Sequence, residues 1–324
     1  MKTSSTRAAK PAMSRIGRPS TPPPAGGMGM AMPARTYDRA AEDMGNMVEL
    51  GHVNVTVPDQ QIATLFYVSG LGLTRDAYLM TGVDNMWINV GRGQFHLPTR
   101  GIQVLRGITG LVLPSLDDLR QRLKSVEDRL AGTKFSWTDH GEYIDTTCPW
   151  GNRIRCHGPQ KRFGKMHLGM PYVEFGVPRG TLPGIKRFYE EIFEARTMME
   201  KDTGGKYLKV CSGDGQSINF RETREKLPAY DGHHIQVTLA NFSGPHRKLK
   251  ALGLVTEESD QWQYRMQDII DLDTKEVLFT IEHEVRSMTH PMFNRPLMNR
   301  NPNMTNRNFL PGHDAGLWAG MAAE

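Results

Sequence analysis

One pattern recurs four times between residues 47 and 285: a strand, a helix, then short strands punctuated by glycine. Its clearest copy opens at residues 50–57, Leu-Gly-His-Val-Asn-Val-Thr-Val, whose period-two alternation describes a half-buried strand stopped by Pro58-Asp59. An amphipathic stretch from Ile62 to Val68 follows, closed by Gly70 and Gly72 as a helix C-terminus is, and then strand-like runs at 75–80, 86–90 and 94–97. The second copy runs from Ile108 through a helix over Ser115–Leu130 to strands at 135–137, 143–144 and 152–156. The third begins at 172–175, has a helix over 184–194 and continues at 207–210 and 217–220. The fourth begins at 234–239, has a helix around 246–252 and ends near 262–266 and 277–282.

Such a unit of roughly 50–60 residues cannot close a core alone, because its curled sheet leaves one face uncovered, so units must pair. The expected fold is α+β: four βαβββ modules paired into two curled mixed β-sheets with helices outside. Taken in chain order, this gives a disordered tail at 1–46, a first pair of modules at 47–160, a second pair at 161–288 and an irregular C-terminal arm at 289–324. The tail holds a triple proline and a Gly-Met run with almost no apolar periodicity, and the arm is rich in Asn, Pro and Met.

Charge narrows the partners. The formal charge is +5, but residues 1–46 carry +4 and 286–324 carry +2, which leaves −1 on 47–285. The folded part therefore offers no basic groove, and nucleic acid is not an expected partner. No run approaches 18 apolar residues and no apolar stretch follows the N-terminal charges, so neither a membrane span nor a secretory signal is expected. The three cysteines, Cys148, Cys156 and Cys211, form no CxxC pair and suit buried thiols in a reducing, cytoplasmic setting.

The segments 66–73 (Phe-Tyr-Val-Ser-Gly-Leu-Gly-Leu) and 188–193 (Phe-Tyr-Glu-Glu-Ile-Phe) resemble the helix-end signature of the vicinal oxygen chelate superfamily, which includes glyoxalase I, extradiol dioxygenases and bleomycin-resistance proteins. The run 148–154, Cys-Pro-Trp-Gly-Asn-Arg-Ile, resembles the turn that precedes a final strand there. The resemblance covers about 47–285 and speaks for the fold more than for a reaction, since the scaffold hosts several chemistries. It implies a divalent metal in the cupped sheet of paired units, held by residues on the first and last strands of a unit. Imidazoles and carboxylates converging from separate strands can hold a metal with an open side whatever the family.

Unit one offers His52 on its first strand and His96 on its last; unit four offers His234 on its first and Glu282 on its last. Units two and three offer Thr109 with Arg155 and Tyr172 with Asn219, and an arginine opposes metal binding. The expected site combines units one and four, with His52, His96 and His234 as ligands and Glu282 as fourth ligand or general base. A register slip of one residue would turn Glu282 away and bring His283 inward. Otherwise His283, like His233, His246 and His290, reads as a surface or supporting residue. Zn, Fe, Mn and Ni are all compatible metals. Arg75, Arg155 and Arg221 are candidate anchors for a substrate carboxylate, and Gly91-Arg92-Gly93 and Gly204-Gly205 read as hairpin turns.

Two functions follow. One is a metal-dependent enzyme acting on a small oxygenated substrate by bidentate chelation, either a glyoxalase-like isomerase or lyase or an extradiol-type dioxygenase. The other is a metal-free protein of the same fold that sequesters a small molecule. A homodimer is compatible with either.

Overall fold

The computed structural model describes residues 37–76 and 84–295. The tail expected up to residue 36, the strand expected at 75–80 from residue 77 onward, and the arm from 296 lie outside the described residues. The chain divides into two units, Met1–Ala41 and Glu42–Glu324. The first is described only at its end, where a 3-10 turn begins at Arg39; everything below concerns the second.

Strand, helix and three strands follow one another four times. The first set is β1 (Met47–Asn54), α1 (Gln60–Thr64), β2 (Thr74–Arg75), β3 (Asn85–Val90) and β4 (Gly93–Pro98), and α1 runs on into a π-type turn, Leu65–Gly70. The second is β5 (Gly107–Val112), α2 (Leu116–Leu130), β6 (Ser136–Asp139), β7 (Tyr143–Thr147) and β8 (Arg153–His157). The third is β9 (Gly169–Pro178), α3 (Leu182–Glu191), β10 (Thr197–Asp202), β11 (Gly205–Cys211) and β12 (Ser217–Thr223). The fourth is β13 (His234–Leu239), α4 (Ser243–Ala251), β14 (Val255–Asp260), β15 (Gln263–Ile270) and β16 (Val277–Ser287).

Local chemistry explains these elements. Asp59 caps α1 by accepting from the backbone N–H groups of Gln61 and Ile62 at 2.8 and 2.9 Å, and Ser115 caps α2 through the N–H of Asp118 at 3.1 Å. Leu119, Leu123, Val126 and Leu130 form the buried stripe of α2, spaced so that all four fall on one face. Both glycine-containing turns are hairpins, since Val90 pairs with Gly93 and Asp202 with Gly205.

The strands form two mixed eight-stranded sheets in an α+β fold. One has the order β14-β15-β16-β13-β1-β4-β3-β2, the other β10-β11-β12-β9-β5-β8-β7-β6. The outer units thus share one sheet and the inner units the other, and residues 47–160 and 161–288 each contribute strands to both. Each sheet has an antiparallel seam at its centre, β1 with β13 and β5 with β9, flanked by parallel pairs. In the first sheet, Val53, Ile235, Val237, Ile281 and Val285 face a continuous apolar core that includes Phe66 and Tyr67, together with Ile185, Phe188 and Tyr189 of α3. The alternate residues point to the opposite face, where the polar chemistry lies.

One detail of β1 orders that face. Two register shifts, between Met47 and Glu49 and between Leu50 and His52, put Glu49 opposite Thr238 and His52 opposite Gln236. The Gln216 side chain holds the bulge from the other sheet. Its Oε1 accepts from Leu50 N at 3.1 Å, and its Nε2 donates to the Leu50 and Met170 carbonyls at 2.9 and 3.0 Å.

Candidate metal centre

His52 and His234 open the equivalent runs His-Val-Asn-Val-Thr-Val and His-Ile-Gln-Val-Thr-Leu of β1 and β13. Across the antiparallel seam His52 opposes Gln236 and Asn54 opposes His234, so the two imidazoles are diagonal neighbours with ring centroids 5.6 Å apart. His96 enters from β4, which pairs in parallel with β1 and sets it beside Asn54. Trp87, opposite His96 on β3, stacks on its ring at 3.9 Å and meets His52 edge-on at 5.0 Å, fixing both imidazoles from one side.

One nitrogen from each of His52, His96 and His234 lies within 4.8 Å of the others. The three Nε2 atoms are buried and have no hydrogen-bond partner among the described residues. Buried polar atoms without partners are costly, and a cluster of three imidazoles of this kind could hold a metal ion. Burial pushes the pKa of His52 well below the ordinary imidazole value, partly countered by the Glu284 carboxylate. Burial and the neighbouring His234 bring His96 down to about 3. Both rings are therefore neutral at pH 7 with lone pairs free, the form that ligates metals. Around one tetrahedral ion, donor atoms at 2.0–2.1 Å from it stand about 3.4 Å apart, so small ring rotations would close this set.

Glu282 pairs in register with His234 in the parallel β13–β16 ladder, and its Oε1 lies 3.3 Å from His234 Nδ1. It also accepts from the Arg265 guanidinium and, at 3.2 Å, from Gln267 Nε2. The carboxylate near the free nitrogens is Glu284, two residues further along the same face, at 3.5 Å from His234 Nε2 and 4.0 Å from His52 Nε2. Burial raises its pKa, but Arg286, His52 and His234 outweigh that and hold it well below the usual carboxylate range. Arg286 Nη2 lies 2.6 Å from it, and Arg265 also pairs with it. The strand register sets the equivalence: His96 faces Asn54, two residues after His52, and Glu284 faces Gln236, two residues after His234. Glu284, not Glu282, is the positional equivalent of His96.

His283 points to the opposite face and lies in the core. Its Nδ1 is 2.8 Å from the Ile281 carbonyl and its Nε2 2.7 Å from the Tyr189 hydroxyl. The inner units build no comparable cluster among the described residues. There Gly110 opposes Tyr172, whose ring occupies the space a Cβ would need, and Thr109 lies on the other face, opposite Val173. Arg155 is tied to Asp145, and Arg221 to Glu174 and Asp202.

A cavity of about 370 Å³ adjoins the cluster at His52. Its walls are Glu49, Gln94, Gln236, Thr238 and Arg286, with Arg92 beside them, and residues 292–295 close it from the segment after β16. Arg295 anchors that segment through a buried ion pair with Asp76 at 2.6 Å. No motif in the sequence marks this wall.

No family model matches the chain, and no curated protein matches it. Solved structures do. A Bacillus subtilis subsp. subtilis str. 168 protein described as a putative dioxygenase superposes with a TM-score of 0.53 at 13% identity, over 86% of this chain and 96% of that one. Glyoxalase I from Zea mays superposes with a TM-score of 0.51 at 12% identity, over 78% of this chain and 96% of that one. At such identities the likeness speaks for the fold, and it agrees with the helix-end segments and the paired sheets: the chain has the fold of the vicinal oxygen chelate superfamily.

Proposed function

We propose that this protein is a metal-dependent enzyme that acts on a small oxygenated molecule bound through two neighbouring oxygens, as a glyoxalase-like isomerase or lyase or an extradiol-type dioxygenase. The observation that carries this reading is the cluster of three buried imidazoles, whose Nε2 atoms have no hydrogen-bond partner among the described residues, beside a cavity. His52, His96 and His234 would hold a divalent ion, with Glu284 as the fourth protein ligand. When bound, the ion supplies Lewis-acid polarisation of substrate oxygens. Trp87 packs against two of the rings, and the Glu282 carboxylate, 3.3 Å from His234 Nδ1, would favour the proton on that nitrogen and leave Nε2 as the donor atom. Arg286 helps keep the Glu284 carboxylate ionised. The segment 292–295 forms one wall of the chamber. Three imidazoles and one carboxylate suit Zn, Fe, Mn or Ni.

The test is elemental analysis of protein purified without an affinity tag, for the native chain and for His52→Ala, His96→Ala and His234→Ala. One equivalent in the native chain and none in the variants is the expected result. Native protein without metal at neutral pH, or variants that retain a full equivalent, would replace this reading with the metal-free binding protein.

A further inference from the structure

The cavity beside the cluster is charged in a way that its size and position do not require. Three cations line it, and two are committed: Arg286 to Glu284, Gln263 and Met292, and Arg295 to Asp76. Arg92, exposed on the β3–β4 hairpin, has no ion pair and no hydrogen bond to any described residue. Gly91, with φ of +62° and the Leu168 carbonyl where a Cβ would stand, seats the turn that carries it.

Among the described residues, Glu49 is the one acid lining the cavity, and it is likewise in no ion pair. It is half-buried and accepts one hydrogen bond, from Thr238 Oγ1 at 3.0 Å. Gln236 Nε2 donates to the same hydroxyl at 3.0 Å, which commits the hydroxyl proton to Glu49 and fixes the carboxylate. Burial raises the Glu49 pKa, with Arg92 among the charges opposing that rise. Gln94 spends its amide N–H groups on Asn89 and Asp76 at 2.7 and 3.2 Å, so its carbonyl oxygen is the end left for a ligand. Among the described residues, the chamber thus offers one free guanidinium, one free carboxylate and an amide carbonyl, with Phe293 and Met292 as its apolar side.

We infer that the cavity binds a small carboxylic acid carrying a hydrogen-bond donor, a hydroxyl or an ammonium, on the neighbouring carbon. The ligand's carboxylate pairs with Arg92 and its donor with Glu49. A flat apolar ring would leave both charges unpaired, whereas this ligand satisfies each with the opposite partner. The volume of about 370 Å³ leaves room for a branched side chain against Phe293. The inference rests on the metal-centre reading in treating this cavity as the substrate chamber.

Four probes of one shape test it by ligand-observed NMR titration of the native, metal-analysed protein: 2-hydroxy-4-methylpentanoate, leucine, 4-methylpentanoate and 4-methylpentane-1,2-diol. The hydroxy acid or the amino acid should bind about tenfold more tightly than either the plain acid or the diol, the loss expected when a charge-assisted bond is removed. Arg92→Gln should weaken the acids by about tenfold and leave the diol unchanged. Glu49→Gln should weaken leucine far more than the hydroxy acid, because an amide carbonyl still accepts from a hydroxyl but carries no charge for an ammonium. Preference for leucine identifies an amino acid as the source of this chemistry, and preference for the hydroxy acid a hydroxy acid. A diol that binds as well as the acids, or Arg92→Gln protein with a native melting temperature and native acid affinity, overturns the inference. Metal at full equivalent with no probe bound overturns it while the metal centre stands. Probe binding in a native protein without metal overturns the metal centre while the inference stands.

Discussion

Lowering the pH from 7 to 5 should destabilise this protein through a histidine far from the candidate metal centre. His157, at the end of β8, is only 2% exposed. Arg162 donates to its Nδ1 at 3.0 Å, so that nitrogen carries a lone pair, and the proton sits on Nε2, which donates to the Tyr172 hydroxyl at 2.9 Å. Protonating Nδ1 would turn an acceptor into a donor against a guanidinium. Burial first, then Arg162 and Arg155, bring its pKa down to about 4 from 6.5. In that interval the unfolded chain binds the proton and the folded one does not, so stability is full above the unfolded pKa and is lost as pH falls toward the folded one. Between pH 7 and 5 the linkage relation gives a loss of about 2 kcal/mol from this site. The assay is urea denaturation at pH 7, 6 and 5 with a chelator present, comparing the native chain with His157→Gln. The other buried histidines titrate alike in both proteins and cancel in the difference. The variant should be less stable at pH 7 but lose about 2 kcal/mol less on acidification. Parallel pH profiles for the two proteins would refute the assignment of the buried proton site.

Other consequences are as direct. Glu284→Gln should weaken metal binding more than Glu282→Gln, because the first removes a charged candidate ligand while the second leaves an amide carbonyl beside His234; equilibrium dialysis orders the two. Metal in thousandfold excess over its Kd should stabilise the native chain by about 4 kcal/mol and His234→Ala not at all, as read from melting curves with and without chelator. At Gly107 a Cβ would stand 1.8 Å from the Glu174 carbonyl in the β5–β9 seam. Backbone cannot step aside as a side chain does, so Gly107→Ala should cost about 3 kcal/mol in a urea titration.

What the sequence determined by itself is what short-range chemistry controls. Period-two runs such as Val53-Asn54-Val55-Thr56-Val57, the stripe Leu119, Leu123, Val126 and Leu130, and glycines at turns announce strands and helices because each signal spans one element. The same repeat put His52 and His234 on equivalent first strands. It did not announce β10 and β14, which lie at the edges of their sheets with mostly exposed residues, Thr-Met-Met-Glu-Lys-Asp and Val-Thr-Glu-Glu-Ser-Asp. An edge strand has one partner and little burial, so nothing forces alternation on it.

Only the tertiary structure decided how the elements meet. That the first unit shares a sheet with the last, and the second with the third, depends on which apolar faces close together; in the sequence only the split of His52, His96 and His234 between units one and four pointed to it. Register was decided the same way: residues two apart share a face, so Glu282 and Glu284 are indistinguishable by period, and only the pairing of Glu284 with Gln236 sets it against His52. The cavity wall is further still from local reading. Glu49 reaches it through a bulge held by Gln216 of the other sheet, and Arg92, Arg286 and Arg295 arrive from a hairpin, a strand end and the segment beyond it.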